Sequence, residues 1–224
     1  MIKMVVFDMA GTTVNEDNVV YKTLQKAINE HGFNFTLEQV LAEGAGKEKL
    51  QAIKSVLAVY AGNHEEQLAD TIFARFRTLL DSAYTDLEVT EQENASSLFH
   101  SLREQGVLVV LNTGYQEDTA KGLIKKLGWQ RGEHYDELVT ASDVPRNRPY
   151  PDMILRAMAQ FGISEGTAVV KVGDSTIDIE EGQNAGCAYS IGITTGAHTM
   201  AQLETASPDY IIHNLKELLP IINS

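Results

Sequence analysis

The sequence predicts an α/β protein in which a mostly parallel sheet is covered by helices on both faces and an all-helical segment is inserted after the first strand. Three observations predict it. Short apolar runs alternate with amphipathic helical stretches, the pattern of a parallel sheet built through crossover helices. Three of those runs end directly in polar residues, at Asp8, at Asn112-Thr113 and at Gly173-Asp174. From about Asn18 to about Leu80 there is no convincing strand.

The run from Lys3 to Phe7 is short and apolar, as a strand buried on both faces requires. Gly11-Thr12-Thr13 supplies a turn, and Asn18 to Gly32 follows helical spacing through Val19, Leu24, Ala27 and Ile28. Thr36-Leu37-Glu38-Gln39 fits a helix start with the threonine as cap. Lys47 to Tyr60 and Gln67 to Leu80 complete the helical insertion. Thr90 to Gln105 reads as a helix, Val107 to Leu111 as a strand, Thr119 to Leu127 as a helix and Glu137 to Val139 as a short strand. Pro151 to Phe161 is helical, Ala168 to Val172 a strand, Ile177 to Ala185 a helix and Cys187 to Ile191 a strand. Asp209 to Ile212 adds an edge strand before a terminal helix that starts near Leu215. In such a sheet a ligand sits beyond the carboxyl ends of the strands, where Asp8, Thr113 and Asp174 fall.

Composition narrows the partners. The 224 residues include 18 basic and 31 acidic side chains, a formal charge of −13. That field repels free nucleic acid and anionic membranes but still admits a small phosphorylated ligand where a metal or local cations reverse it. The single cysteine, Cys187, cannot form an intramolecular disulfide, and the N-terminal apolar run meets an acid too early for a signal peptide or membrane span. The expectation is a cytoplasmic protein without membrane partners.

An aspartate after a strand is by itself an ordinary cap or turn former. Four features change that reading when they meet at one sheet edge: Asp8, Thr113, Arg148 and Asp174. One oxygen of Asp8 can attack phosphorus while the other holds a cation, which offsets repulsion between carboxylate and phosphate. Oxygen ligands without a cysteine or histidine cluster favour Mg2+. Asp174 is a candidate metal ligand, and Asp178 a candidate for orienting water, or else a first-turn charge that suits the helix dipole. Thr113 and the Gly114 amide can donate to phosphate oxygens, and Arg148 offers a forked cationic donor. Glu180 and Glu181 read as solvated or supporting acids.

These residues lie in four motifs, Phe7-Asp8-Met9-Ala10-Gly11-Thr12-Thr13-Val14, Leu111-Asn112-Thr113-Gly114, Asn147-Arg148-Pro149-Tyr150-Pro151-Asp152 and Val172-Gly173-Asp174-Ser175-Thr176-Ile177-Asp178. In that order and spacing the chain resembles the haloacid dehalogenase superfamily, and within it the phosphonoacetaldehyde hydrolase-like branch. The resemblance implies a Rossmann-like core made of residues 1–14 and 86–224 with a helical C1 cap made of 15–85. It implies Asp8 as nucleophile, Mg2+ held by Asp8, the Ala10 carbonyl and Asp174, and phosphate held by Thr12, Thr113, Gly114 and Arg148. It also implies a cap-mediated homodimer, for which the apolar residues among Lys47 to Leu57 are candidates, although these could equally pack inside the cap.

Ala10 departs from the superfamily's phosphatases, which carry a second aspartate there for proton transfer. Without that transfer an ester with a poor leaving group would react roughly 100- to 10,000-fold more slowly. The phosphonatase branch instead uses a cap lysine that forms a Schiff base with an aldehyde. Lys49, in Ala45-Gly46-Lys47-Glu48-Lys49, occupies that position, with Lys47 and Lys54 as rival amines and Gly46 allowing a close bend under the cap. The branch's methionine and histidine are replaced by Ala45 and Ala52. The expected function is therefore Mg2+-dependent hydrolysis of a small phosphonate or phosphorylated metabolite through an aspartyl-phosphate, with phosphonoacetaldehyde as one candidate. Hydrolysis of another activated phosphate without a Schiff base, or weakly catalytic binding of a phosphometabolite, are the alternatives.

Overall fold

The computed structural model describes residues 1–15, 17–86 and 88–223, and the side chains of all of these except 84–86. Strand β1 (Met4–Asp8) is buried along its whole length. After a tight turn and a two-residue strand β2 (Val14–Asn15), four helices follow: α1 (Val19–Asn29), α2 (Leu37–Gly44), α3 (Lys49–Ala61) and α4 (Glu66–Asp86). Strand β3 (Thr90–Glu91) then pairs antiparallel with β2, Val14 opposite Glu91 and Asn15 opposite Thr90. The four-helix insertion therefore leaves and rejoins the sheet unit at a single two-stranded stem.

Thr90 and Glu91 were expected to open a helix. They lie in β3 instead, and the helix begins at Ala95, because pairing with β2 fixes the returning chain more strongly than local propensity does. The remainder alternates: α5 (Ala95–Glu104), β4 (Leu108–Thr113), α6 (Glu117–Leu127), β5 (Glu137–Thr140), α7 (Asp152–Gln160), β6 (Val169–Gly173), α8 (Thr176–Asn184) and β7 (Tyr189–Ile193). Helix α9 (Met200–Glu204), which the sequence reading did not anticipate, strand β8 (Tyr210–Ile212) and helix α10 (Leu218–Ile222) follow.

The main sheet has the order β5-β4-β1-β6-β7-β8, and all its pairs are parallel. Strand order runs outward from β1 in one direction through β4 and β5, then in the other through β6, β7 and β8. The switch point thus lies at the carboxyl end of β1, where open α/β sheets bind ligands. Register puts Asp8 beside Asn112, with Thr113 next along β4, and Phe7 beside Val172, with Gly173 and Asp174 beyond it.

Alternation along β1 sends its side chains into two layers. Val5 and Phe7 join a core with Leu98, Phe99 and Leu102 of α5, whereas Met4 and Val6 pack with Met153, Ile154, Ala157 and Met158 of α7. Helices α1, α3 and α4 bury Leu24, Ile53 and Ile72 completely, each contributing about 1.5–3 kcal/mol of hydrophobic stabilisation. Thr36 caps α2 as expected, accepting from Gln39 N–H at 3.2 Å while Gln39 Oε1 accepts from Thr36 N–H at 2.9 Å. Ala52, Ile53, Val56 and Leu57 are buried inside the helical insertion, and Leu50 is half-buried against the same core. Among the described residues no helix is long and apolar enough to cross a membrane.

Candidate active site

Three carboxylates meet at the switch point. Asp8 ends β1, Asp174 follows β6 and Asp178 lies in the first turn of α8, and each offers an oxygen within 4.8 Å of the others. All three are buried. Burial, reinforced by the Asp178 charge, pushes the Asp8 carboxyl up to about 6 against the pull of Arg148 and Lys171. Asp174 is held well above the carboxylate range by burial and by the charges of Asp8 and Asp178. Burial would raise Asp178 too, but Arg148 and Lys171 outweigh it and hold its pKa below the usual range.

The donor set is made of hard oxygens, and two of its members are disfavoured as anions even with Arg148 beside them. Such a cluster fits a divalent cation. Asp174 is anchored by the loop after β7, where Ala197 N–H donates to its Oδ2 at 2.6 Å and His198 N–H donates to its carbonyl at 3.2 Å. The sequence reading had passed over this loop. Its proximity has no local signature, since it is created by the sheet register.

Arg148, wholly enclosed, faces the carboxylates. Its Nη1 lies 2.8 Å from Asp8 Oδ1 and 2.9 Å from Asp178 Oδ1. Nε donates to Glu181 Oε2 at 2.9 Å, and Nη2 donates to the Asn112 carbonyl at 2.9 Å and to Asn112 Oδ1. These acids raise the guanidinium's pKa against the opposing effect of burial.

Two further charged residues complete this network, of which sequence reasoning missed Lys171. Glu181, expected to be a solvated or supporting acid, is completely buried. Lys171 is also completely buried, with Nζ 2.9 Å from Asp178 Oδ1 and 2.7 Å from Asn112 Oδ1. A signal existed for the lysine, because an ammonium inside the apolar run Val169-Val170-Lys171-Val172 is costly unless it is paired.

The insertion reaches the carboxylates through Gly46. Its φ is +72°, and a Cβ there would lie 2.4 Å from both Ser175 Oγ and Ile177 Cγ2. A Cβ on Gly114 would in turn lie 2.7 Å from the Gly46 carbonyl. Backbone therefore touches backbone between the segment preceding α3 and the end of β4, a closeness that only glycines permit. The Gly46 carbonyl accepts from Arg148 Nη1 at 3.3 Å, and its N–H donates to the Tyr21 hydroxyl at 3.0 Å.

Lys49 opens α3 with only 3% exposure. Its Nζ donates to the Lys47 carbonyl at 2.5 Å and lies over the rings of Tyr21 and Tyr115, 4.9 Å and 4.8 Å from their centroids. A cavity of about 180 Å³ adjoins it, lined among the described residues by Val20, Phe73, Phe76, Leu80 and Tyr115 and by the polar Arg77, Asp81, Gln116, Asp118 and Thr119, with none of Asp8, Asp174 and Asp178 in its lining. The rival amines are occupied elsewhere: Lys47 Nζ donates to Ser55 Oγ at 3.1 Å, and Lys54 pairs with Glu66 near the surface.

Three further anticipated residues lie just after β1 or at the end of β4. Ala10 follows Asp8 by two residues and is partly exposed. Thr12 is buried, and its hydroxyl has no hydrogen-bond partner among the described residues. The Thr113 hydroxyl accepts from Tyr115 N–H at 3.2 Å.

Comparison with known proteins gives the same picture. Residues 5–191 match the family model for haloacid dehalogenase-like hydrolases. Over 220 residues, 91% of this chain and 80% of the relative, it is 32% identical to the phosphonoacetaldehyde hydrolase of Parabacteroides distasonis. The phosphonoacetaldehyde hydrolase of Bacillus cereus is 27% identical, with 100% of this chain and 87% of that protein covered. Among solved structures, a phosphonoacetaldehyde hydrolase-like protein from Oleispira antarctica superposes with a TM-score of 0.83 at 22% identity, covering 99% of this chain and 91% of that one. A hydrolase from Pseudomonas syringae gives a TM-score of 0.85 at 18% identity, with 99% and 98% covered. Fold, carboxylate cluster and sequence relationship together make the chain a member of the haloacid dehalogenase-like hydrolases, in their phosphonatase-like branch.

Proposed function

We propose that this hydrolase transfers the phosphoryl group of a small phosphonate or phosphorylated metabolite to Asp8, with Mg2+ held by Asp8, Asp174 and the Ala10 carbonyl, and releases phosphate by hydrolysis of the aspartyl-phosphate. The observation that carries this reading is the convergence of three buried carboxylates at the switch point, two of them held above their ordinary pKa. When bound, the cation would neutralise charge between Asp8 and the phosphoryl oxygens. Arg148 Nη1 holds an equatorial oxygen, and Thr12, Thr113 and the Gly114 amide supply further donors. Asp178 orients water for the second half of the reaction.

Residues 15–85 act as the cap over a core of 1–14 and 86–224, excluding water when Gly46 is seated against Gly114. For a phosphonoacetaldehyde-like substrate, the Lys49 amine condenses with the aldehyde and expels water. The P–C electron pair then moves into the resulting iminium as phosphorus passes to Asp8, giving an enamine that water and a proton convert to free acetaldehyde and regenerated lysine. A lysine buried between two tyrosine rings supports this over a solvated role. The test is a Mg2+-dependent panel of phosphonoacetaldehyde and activated phosphate esters, run with wild type and Lys49→Ala. Borohydride trapping of a Lys49 adduct and a severe loss of kcat in the variant are expected. Full turnover in Lys49→Ala without an adduct would assign the activity to an activated phosphate instead. Binding without phosphate release across the panel would assign the chain as a binding protein.

A further inference from the structure

Behind Arg148 lie two charged side chains that the proposed chemistry does not use. Glu181 and Lys171 are each 0% exposed. Glu181 Oε2 accepts from Arg148 Nε at 2.9 Å, and its Oε1 accepts from Asn112 Nδ2 at 2.9 Å. Lys171 Nζ stands 3.3 Å from Glu181 Oε2, 2.7 Å from Asn112 Oδ1 and 2.9 Å from Asp178 Oδ1. Helix α8 approaches β6 closely enough for this because residue 182 is glycine, where a Cβ would lie 2.8 Å from Lys171 Cβ.

The guanidinium is thus fastened along two of its three nitrogens. Nε is held by Glu181 and Nη2 by Asn112, so Nη1 alone is presented to Asp8, Asp178 and the Gly46 carbonyl. A buried ion pair adds little net stability compared with apolar packing of the same volume. Its value lies in geometry, since a forked donor is useful only when its planar orientation is set.

We propose that Glu181 is a positioning residue for the phosphoryl site, orienting Arg148 so that Nη1 faces the reacting group, with Lys171 as the buried counter-ion that holds Glu181 in place. The inference rests on Asp8-centred phosphoryl transfer but concerns the orientation of Arg148. Glu181→Gln keeps an acceptor for Arg148 Nε at the same reach but sets an amide N–H against Asn112 Nδ2, whereas Glu181→Asp keeps the charge and withdraws it by one methylene. If geometry governs, the inhibition constant of inorganic phosphate at saturating Mg2+ rises less in Glu181→Gln than in Glu181→Asp. It weakens by about tenfold or more in Glu181→Asp, the loss of one charged hydrogen bond. Melting temperatures measured alongside separate this from a general loss of packing. A crystal structure of Glu181→Asp is expected to show the guanidinium turned away from Asp8. Phosphate binding like wild type in Glu181→Asp, or equal losses in both variants, would overturn the proposal. Should wild type bind no phosphate in Mg2+, the phosphoryl reading of the site fails, and the orientation of Arg148 in the Glu181→Asp crystal decides the positioning role alone: an unmoved guanidinium would reject it.

Discussion

Arg148 Nη1 is 2.8 Å from Asp8 Oδ1, an ion pair enclosed between the carboxyl end of the central strand and the glycine bend of the helical insertion. A lysine at 148 would keep the charge but could not engage Glu181, Asn112 and Asp8 from one rigid plane. Arg148→Lys is therefore expected to lower kcat/KM by about 100-fold, the equivalent of roughly 3 kcal/mol from displaced charged hydrogen bonds. Steady-state kinetics on the best substrate of the panel measures it. A loss smaller than about threefold would show that charge alone suffices.

Cation binding should depend on pH. The Asp8 carboxyl sits at about 6 without a cation, and Asp174 also lies well above the carboxylate range. A divalent ion binds the ionised forms, so below about pH 6 it must displace protons and its affinity falls. Mg2+ titrations from pH 5 to 8 are expected to show tighter binding with rising pH, by about tenfold per unit for each proton displaced. An affinity constant across that range would contradict the raised carboxyls.

The same groups set the sign of a stability effect. A carboxyl with a folded pKa above its unfolded value binds more protons in the native state, so its ionisation destabilises the cation-free fold as pH rises from about 4 through about 6. At neutral pH the fold therefore carries an ionised Asp8 that Arg148 compensates only in part, and Mg2+ should stabilise it. At one hundred times its dissociation constant the ion contributes about 2.7 kcal/mol, a melting shift of about 5–10 °C for a chain of 224 residues. Calorimetry with Mg2+ and with chelator tests this, and the absence of any shift would count against a site at Asp8, Asp174 and Asp178.

Gly46→Ala probes the seat of the insertion. The new methyl would require a left-handed backbone and stand 2.4 Å from Ser175 Oγ and Ile177 Cγ2. The left-handed strain alone costs about 1–2 kcal/mol, lowering the melting temperature by several degrees, and the bend must move away from Gly114. A fall in kcat/KM of about 100-fold or more is expected if closure here assembles the site. Near-native kinetics with the same melting shift would detach Gly46 from catalysis.

Much of this architecture was legible because its signals are local. The apolar runs before Asp8, Thr113 and Asp174 report buried parallel strands, and Thr36 with Gln39 carries a complete capping motif. Asp8, Asp174 and Asp178 could be placed together because each follows or closely trails a strand. Thr90 and Glu91 were misread because a two-residue strand has no period to detect, and only the pairing with Val14 and Asn15 defines it. Glu181 looked like its neighbour Glu180, yet one helical step separates a wholly buried acid from an exposed one. Lys49 was singled out by the family resemblance, but its burial against aromatic rings from α1 and from the loop after β4 has no local signature that separates it from Lys47 and Lys54.

Phosphoryl transfer to Asp8 is tested most directly by rapid acid quench of a single turnover in Mg2+, followed by peptide mapping. A phosphoryl group on the peptide containing Asp8, absent in Asp8→Asn together with all measurable turnover, is the predicted result. Undiminished phosphate release by Asp8→Asn would contradict it.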